Sequence, residues 1–143
     1  MTPTDELPTL RKPPHSAEAE QTLLGAILQW PAEAMPAASE ALSTADFYRH
    51  EHRLIYGAVL GLVAAGTEPD IITVFEALQA CGQAEDAGGL PYLNELTQGV
   101  ASARNVRRYA EMVVERAALR QVIAITDEIA TSAFNPQSRT AAQ

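Results

Sequence analysis

Residues 13–28 read PPHSAEAEQTLLGAIL, and the fold class turns on them. Pro13 and Pro14 keep the chain extended, because proline fixes its own φ and pushes the preceding residue out of the helical region. Ser16 then stands where a helix N-cap belongs, its hydroxyl able to accept from a free backbone N–H of the first turn. Glu18 and Glu20 follow in that turn, where the positive end of the helix dipole favours acids. The spacing is not a strict capping box, since Ala19 holds the third position after Ser16. Ala19, Leu23 and Ile27, with Leu24 and Leu28, lie on one helical stripe, which Trp30 and Pro31 end. Gly25 costs about 1 kcal/mol against alanine in such a helix interior. A second helix crossing close over Gly25 is the simplest need it could meet.

The rest of the chain repeats the helical pattern. Residues 1–14 are polar and dotted with proline, and read as a flexible arm. Residues 31–45, rich in alanine and carrying Pro31 and Pro36, predict a turn and a short helix containing Leu42. In DFYRHEHRLIYGAVLGLVAAG, Ile55, Ala58 and Leu62, with Tyr56, Leu60 and Val63, fall at helical intervals before Gly66. A long, mostly buried helix is expected there. Asp70 reads as the N-cap of a helix carrying Ile71, Val74, Phe75 and Leu78 and ending near Gly82. Gly88 and Gly89 turn the chain into PYLNEL, where Pro91 suits a first helical turn. The last and longest helix is expected from Ser102 to about Phe134, before Asn135 and Pro136 break it.

That last helix changes character along its length. Val106, Tyr109, Ala110, Val113 and Ala117 keep to one side and can dock on the body. Residues 122–125, VIAI, cover most of a helix circumference at about 100° per step. With Leu119 and Ile129 nearby, this end needs partners on more than one side, from a following segment or another subunit. The organisation expected is an arm over 1–14, a helical head over 15–100, a long helix over 101–134, and a turn into a second arm over 135–143.

Composition excludes several function classes. The chain has 143 residues, 47% of them hydrophobic but only 6% aromatic, and few alternating β-branched runs. An all-α single domain with its own core follows. No run of about 18 apolar residues exists, and the N-terminus lacks a signal peptide's basic start and apolar centre. One cysteine, Cys81, precludes an internal disulfide framework and fits a reducing cytoplasm. Beside Gly82 at a helix end it reads as a small packed residue rather than a nucleophile. The net charge of −8 is uneven: residues 1–103 hold 14 acids and 4 bases, residues 104–143 hold 4 acids and 6 bases. A body of that sign repels phosphate, so direct nucleic-acid binding is not expected. Arg104, Arg107, Arg108, Arg116 and Arg120 form the one basic cluster, read as a solvated face partnered by Glu111 and Glu115.

No catalytic constellation stands out. His50, Glu51 and His52 are the one grouping that could suggest a metal, but helix positions two apart point about 200° from each other. Solvent and cap contacts are the expected role of both histidines, and His15 reads as structural. Gly88 and Gly89 lack the Lys and Ser/Thr of a phosphate loop, and no GxSxG occurs. No cofactor or metal is expected in these residues.

Taken together, PPHSAEAEQTLLGAIL, with Pro13, Pro14, His15, Ser16, Glu18, Ala19, Glu20, Gln21, Leu24 and Gly25, resembles the start of the N-terminal domain of bacterial replicative DNA helicases of the DnaB family. The likeness continues in order through a second motif of Asp46, Phe47 and Tyr48 with His52, Arg53 and Ile55, and a third of Asp70, Ile72 and Thr73. It goes on through Gly88, Gly89, Tyr92 and Leu93, and closes with Tyr109, Ala110, Val113, Glu115, Arg116, Ala117 and Arg120. Each motif alone is weak, but five in register over about residues 12–139 are highly specific.

The resemblance implies a small helical head followed by a helical hairpin. Hairpins of neighbouring subunits would pair, and the pairs would assemble into a collar above an ATPase ring. The same collar would receive the C-terminal domain of primase, with a helicase loader as a further partner. By motif, Tyr92, Ile123 and Ile129 match positions associated with the primase contact. The expected partner and oligomer surface is therefore Tyr92, Leu119, Val122, Ile123, Ile125 and Ile129. On the residues alone, Tyr92 equally reads as a core tyrosine with its hydroxyl at the surface, and Ile123 and Ile129 as hairpin packing. The family's motor, with its phosphate loop, ATP and magnesium, lies C-terminal to this region. The chain is then expected to be a fragment, itself no enzyme, of a cytoplasmic ATP-dependent helicase with no membrane contact. Three other readings compete: a helicase-binding domain of primase, which shares a related helical architecture, a free-standing collar-like adaptor, and a free-standing enzyme using the HEH segment.

Overall fold

The computed structural model describes residues 12–135, and the described residues are all-α. The first eleven residues of the expected arm, and residues 136–143 of the expected second arm, lie outside them. Six helices follow in order: α1 Ala17–Gln29, α2 Pro31–Ala41, α3 His50–Ala64, α4 Ile71–Ala80, α5 Gly89–Gln98 and α6 Val106–Phe134. A single 3₁₀ turn, Thr44–Asp46, links α2 to α3.

α1 begins where the sequence places its cap, with the Ala19 N–H donating to Ser16 Oγ at 3.2 Å. Its stripe of Ala19, Leu23, Leu24, Ile27 and Leu28 is buried and forms the centre of the core. At Gly25 a Cβ would stand 2.1 Å from the carbonyl oxygen of Leu96 and 2.6 Å from Val100 Cγ2. α5 and the residues just after it thus cross α1 against bare backbone, which is the need that offsets the glycine's cost. The Gln29 amide also donates to the Thr97 carbonyl across the same crossing.

Residues 31–45 differ from expectation. No turn precedes α2: Pro31 is its first residue, Pro36 lies inside it, and Leu42 falls just past its end, extended and buried. Pro36 is tolerated because it sits on the exposed side, where the carbonyl of Ala32, one turn earlier, also faces solvent. α3 departs too, being buried only through His52, Ile55, Tyr56 and Val59. Past Val59 burial is only partial: Leu60 and Leu62 pack against the edge of the core, and Val63 is exposed.

α4 carries the expected Asp70 cap. Asp70 Oδ1 accepts from the Thr73 N–H at 2.8 Å, and Thr73 Oγ1 accepts from the Asp70 N–H at 2.9 Å. Cys81 follows its end and is exposed, so it is not the packed residue expected. α6 starts at Val106, four residues later than Ser102. Ser102 Oγ instead accepts from the Arg104 N–H at 3.4 Å, and Ala103 supplies the carbonyl for Val106, so the serine serves the turn before the helix.

Two compact units result. His15–Ala117 holds the whole hydrophobic core, including Val106, Ala110 and Val113 of α6. Of the described residues, 118–135 with 12–14 belong to the other, in which Arg120 Nη1 donates to the Pro14 carbonyl at 2.8 Å. The remaining arginines lie along a solvated face as expected, Arg108 reaching Glu111 at 4.0 Å and Arg116 reaching Glu115 at 3.8 Å. Arg107 reaches Glu40 at 3.4 Å.

Candidate functional site

Inside the head, the residues with most chemistry are buried together. Glu20 and His52 are 1% and 0% exposed, and His52 Nδ1 lies 2.7 Å from Glu20 Oε1. Glu20 also accepts from the backbone N–H of Tyr48 at 2.7 Å and of Arg49 at 3.4 Å. These are orphan donors at the entry to α3, so a side chain of α1 closes the end of another helix. On its other side, His52 Nε2 lies 2.6 Å from the hydroxyl of Tyr92 on α5, and Gln21 Nε2 approaches that hydroxyl at 3.4 Å. One order of donors satisfies every group: Gln21 N–H to the Tyr92 oxygen, Tyr92 O–H to His52 Nε2, and His52 Nδ1–H to the Glu20 carboxylate.

The expected roles change accordingly. His52 is not a solvent or cap residue; it is fully buried, hydrogen-bonded between the Glu20 carboxylate and the Tyr92 hydroxyl. Glu20 does not merely complement a helix dipole. The Tyr92 hydroxyl is not at the surface but turned inward, while its ring lies half-buried, its Cβ and Cγ occupying the space a Cβ on Gly88 would need, at 2.7 and 2.9 Å. Burial pushes the Tyr92 hydroxyl above the usual phenol range against the pull of Gln21 and Arg49. His15 stacks on Tyr48 with ring centroids 4.2 Å apart, a structural role. Arg53 Nη1 donates to the carbonyls of Phe47 and Tyr48 at 2.9 and 2.8 Å, fixing the same segment.

Sequence spacing carried a signal for the two missed residues. Glu20 precedes Leu23, Leu24 and Ile27 at the offsets of a buried stripe, and His52 precedes Ile55, Tyr56 and Val59 in the same way. Tyr56, on that stripe, keeps a buried hydroxyl with no hydrogen-bond partner, and burial raises it. Nearer the surface, Arg49 and Glu51 pair at 2.8 Å. Burial would push the Glu51 carboxyl up, but its own backbone N–H and Arg49 outweigh that and hold it below the usual carboxylate range.

Two of the hollows in the head bear on the site. A groove of about 690 Å³ between α3 and α4 is lined by Leu54, Gly57, Ala58, Gly61, Leu78 and Cys81 among others, and is mainly apolar. A cleft of about 260 Å³ lies beside Tyr92, with Glu18, Gln21, Thr22 and Glu95 in its walls. Among the described residues, no three His, Cys, Asp or Glu side chains converge as metal ligands, and no helix is long and apolar enough to cross a membrane.

The second unit offers an apolar helix surface with a shallow hollow on it, bordered by Ile125, Glu128, Ile129 and Ser132. Leu119, Val122, Ile123, Ile125 and Ile129 are between 45% and 65% exposed, and Phe134 is 86% exposed. These large apolar side chains lie on a single helix, a concentration that marks association surfaces.

Comparison with known proteins completes the description. Residues 12–115 match the family model of the DnaB-like helicase N-terminal domain. The replicative DNA helicase DnaB of Geobacillus stearothermophilus is 43% identical over 129 residues, covering 90% of this chain and 28% of that protein. The crystal structure of the N-terminal domain of DnaB helicase from Mycobacterium tuberculosis superposes with a TM-score of 0.84 at 34% identity, covering 87% of this chain and 85% of that one. A DnaB-like replicative helicase, solved in a study of its interactions with primase, gives a TM-score of 0.68 at 25% identity, covering 89% of this chain and 29% of that one. The chain thus spans a little over a quarter of the length of the full helicases it matches.

Proposed function

Because this chain belongs to the DnaB-like helicase N-terminal domain family, we propose that it is the non-catalytic scaffolding domain of a replicative DNA helicase, pairing with its own copies in a collar and docking primase. The observation that carries this reading is the row of apolar side chains on α6 from Leu119 to Ile129, all at least 45% exposed. Each aliphatic side chain of that size contributes about 1–2 kcal/mol when its exposed area is covered, so a handful supports a specific interface. Primase enters as the partner because a structural relative was solved in a study of its interactions with primase. ATP and magnesium would bind elsewhere in such a helicase, and this chain alone is expected to hydrolyse no ATP.

Ile123→Asp and Ile129→Asp test the proposal. Both positions are exposed, so circular dichroism should return unchanged helix content. Each should weaken self-association in sedimentation, or capture of the primase C-terminal domain in a pull-down, by about tenfold or more, since a buried carboxylate opposes the interface. Unchanged binding in both assays overturns the reading.

A further inference from the structure

The groove between α3 and α4 is lined by neither Glu20, His52 nor Tyr92. From His50 to Leu62 it follows α3 for about 18 Å at about 1.5 Å per residue, the length of a helix of about twelve residues. Leu54, Ala58, Leu62 and Leu78 make its walls apolar, and at about 690 Å³ it has room for several side chains at once. Gly61 keeps it open, since a Cβ there would meet nothing within 4 Å. Its charge is unlike that of the head around it. Residues 1–103 hold 14 acids and 4 bases, yet no Asp or Glu lines the groove, and Arg53 does. Arg53 is half-buried and steadied through Nη1, which donates to the carbonyls of Phe47 and Tyr48 at 2.9 and 2.8 Å. No carboxylate pairs with it among the described residues, so Nε and Nη2 are left to bind an anion. His50 lines the same end of the groove, one turn earlier on α3.

We propose that this groove docks an amphipathic helix of a partner protein, its apolar face laid between α3 and α4 and an acidic residue at one end paired with Arg53 and His50. Helices bind apolar grooves through side chains spaced three and four apart, and a groove of this length engages about three turns of them. The charge sets the partner's chemistry. A basic helix, drawn to the acidic head at large, finds no carboxylate inside the groove and meets Arg53 instead, so the site selects as well as binds. None of the α6 residues assigned to pairing or to primase takes part, and the inference does not rest on that assignment.

Cys81 lines the groove, is exposed and is the chain's one cysteine, so its alkylation by N-ethylmaleimide reports whether the groove is occupied. The probe is a stapled helical peptide of about twelve residues, with leucines at positions i, i+3, i+4 and i+7 and a glutamate at each end. At saturation it should slow alkylation about fivefold or more. The same peptide with glutamine at each end should need about fivefold higher concentration for the same protection, and with lysine more still. Arg53→Met should erase the difference between the glutamate and glutamine peptides. Gly61→Leu fills the groove from a position with nothing within 4 Å, so it should keep its helix content in circular dichroism and lose the protection. Because Arg53→Met also gives up two carbonyl bonds, Gly61→Leu decides the matter if that variant does not fold. A glutamate peptide that leaves Cys81 unprotected, equal protection by the glutamine or lysine peptide, or protection that survives in Gly61→Leu overturns the inference. Alkylation that slows with the concentration of the chain alone would put a second copy in the groove, and overturns it too.

Discussion

Glu20 occupies a position where helical spacing calls for an apolar side chain, and His52 does the same one helix later. Burying both is expensive unless each polar atom is partnered, and here each is: two backbone N–H groups and one imidazole on the carboxylate, one carboxylate and one phenol on the imidazole. Removing one partner is therefore worse than softening one. His52→Leu takes one of three donors from a buried carboxylate and should cost about 2–3 kcal/mol in chemical denaturation. Glu20→Gln keeps a carbonyl oxygen for the Tyr48 N–H and leaves no orphaned charge, so it should cost clearly less. The reverse order would mean that the pair is not the unit described. This network was half legible: helical spacing put both residues on buried stripes, but adjacency to His50 and Glu51 drew attention to an exposed HEH grouping. No sequence rule says that residues 20, 52 and 92 meet, because that meeting is made by three helices packing.

Between elements, the crossing of α1 and α5 is the contact the sequence announced most clearly. An interior glycine in an otherwise good helix signals close approach, and the Leu96 carbonyl fills the place of the missing Cβ. Gly25→Ala must push α5 away from α1, and should lower stability by about 3 kcal/mol. Gly61, inside α3, makes the comparison, since a Cβ there meets nothing within 4 Å. Gly61→Ala should raise stability by about 0.5–1 kcal/mol through the backbone entropy of the unfolded chain. A pair of denaturant midpoints moving in the same direction would sink the distinction. Helix bodies were readable for the same reason as Gly25, from stripes that repeat. Helix ends were readable only in part: Ser16 and Asp70 cap as their chemistry predicts, but Ser102 has the chemistry of a cap for α6 and serves the turn preceding it, and Pro36 has the chemistry of a breaker but sits where solvent takes over the lost hydrogen bond.

At the scale of the whole molecule, two units divide the work, and the exposed half of α6 divides again. At about 100° per residue, Val122, Ile125 and Ile129 fall in one sector, and Leu119, Ile123 and Phe134 in another beside it. The first sector continues Ala118, Val122, Ile125, Ile129 and Ser132 at alternating spacings of four and three, the seam of a helix that pairs with another helix. A hollow of about 360 Å³ bordered by Ile125, Glu128, Ile129 and Ser132 lies along it, the form of a hole awaiting a knob. Composition could show only that VIAI was too apolar for one neighbour; the described helix separates that surplus into a seam and a flank. Self-pairing should therefore use the seam, and the flank should remain for a partner. Ile125→Asp is expected to raise the self-dissociation constant by about tenfold or more in sedimentation equilibrium while primase is still captured. Ile123→Asp should do the opposite, sparing self-association and weakening capture. Were α6 a single undivided face, both variants would lose both interactions together.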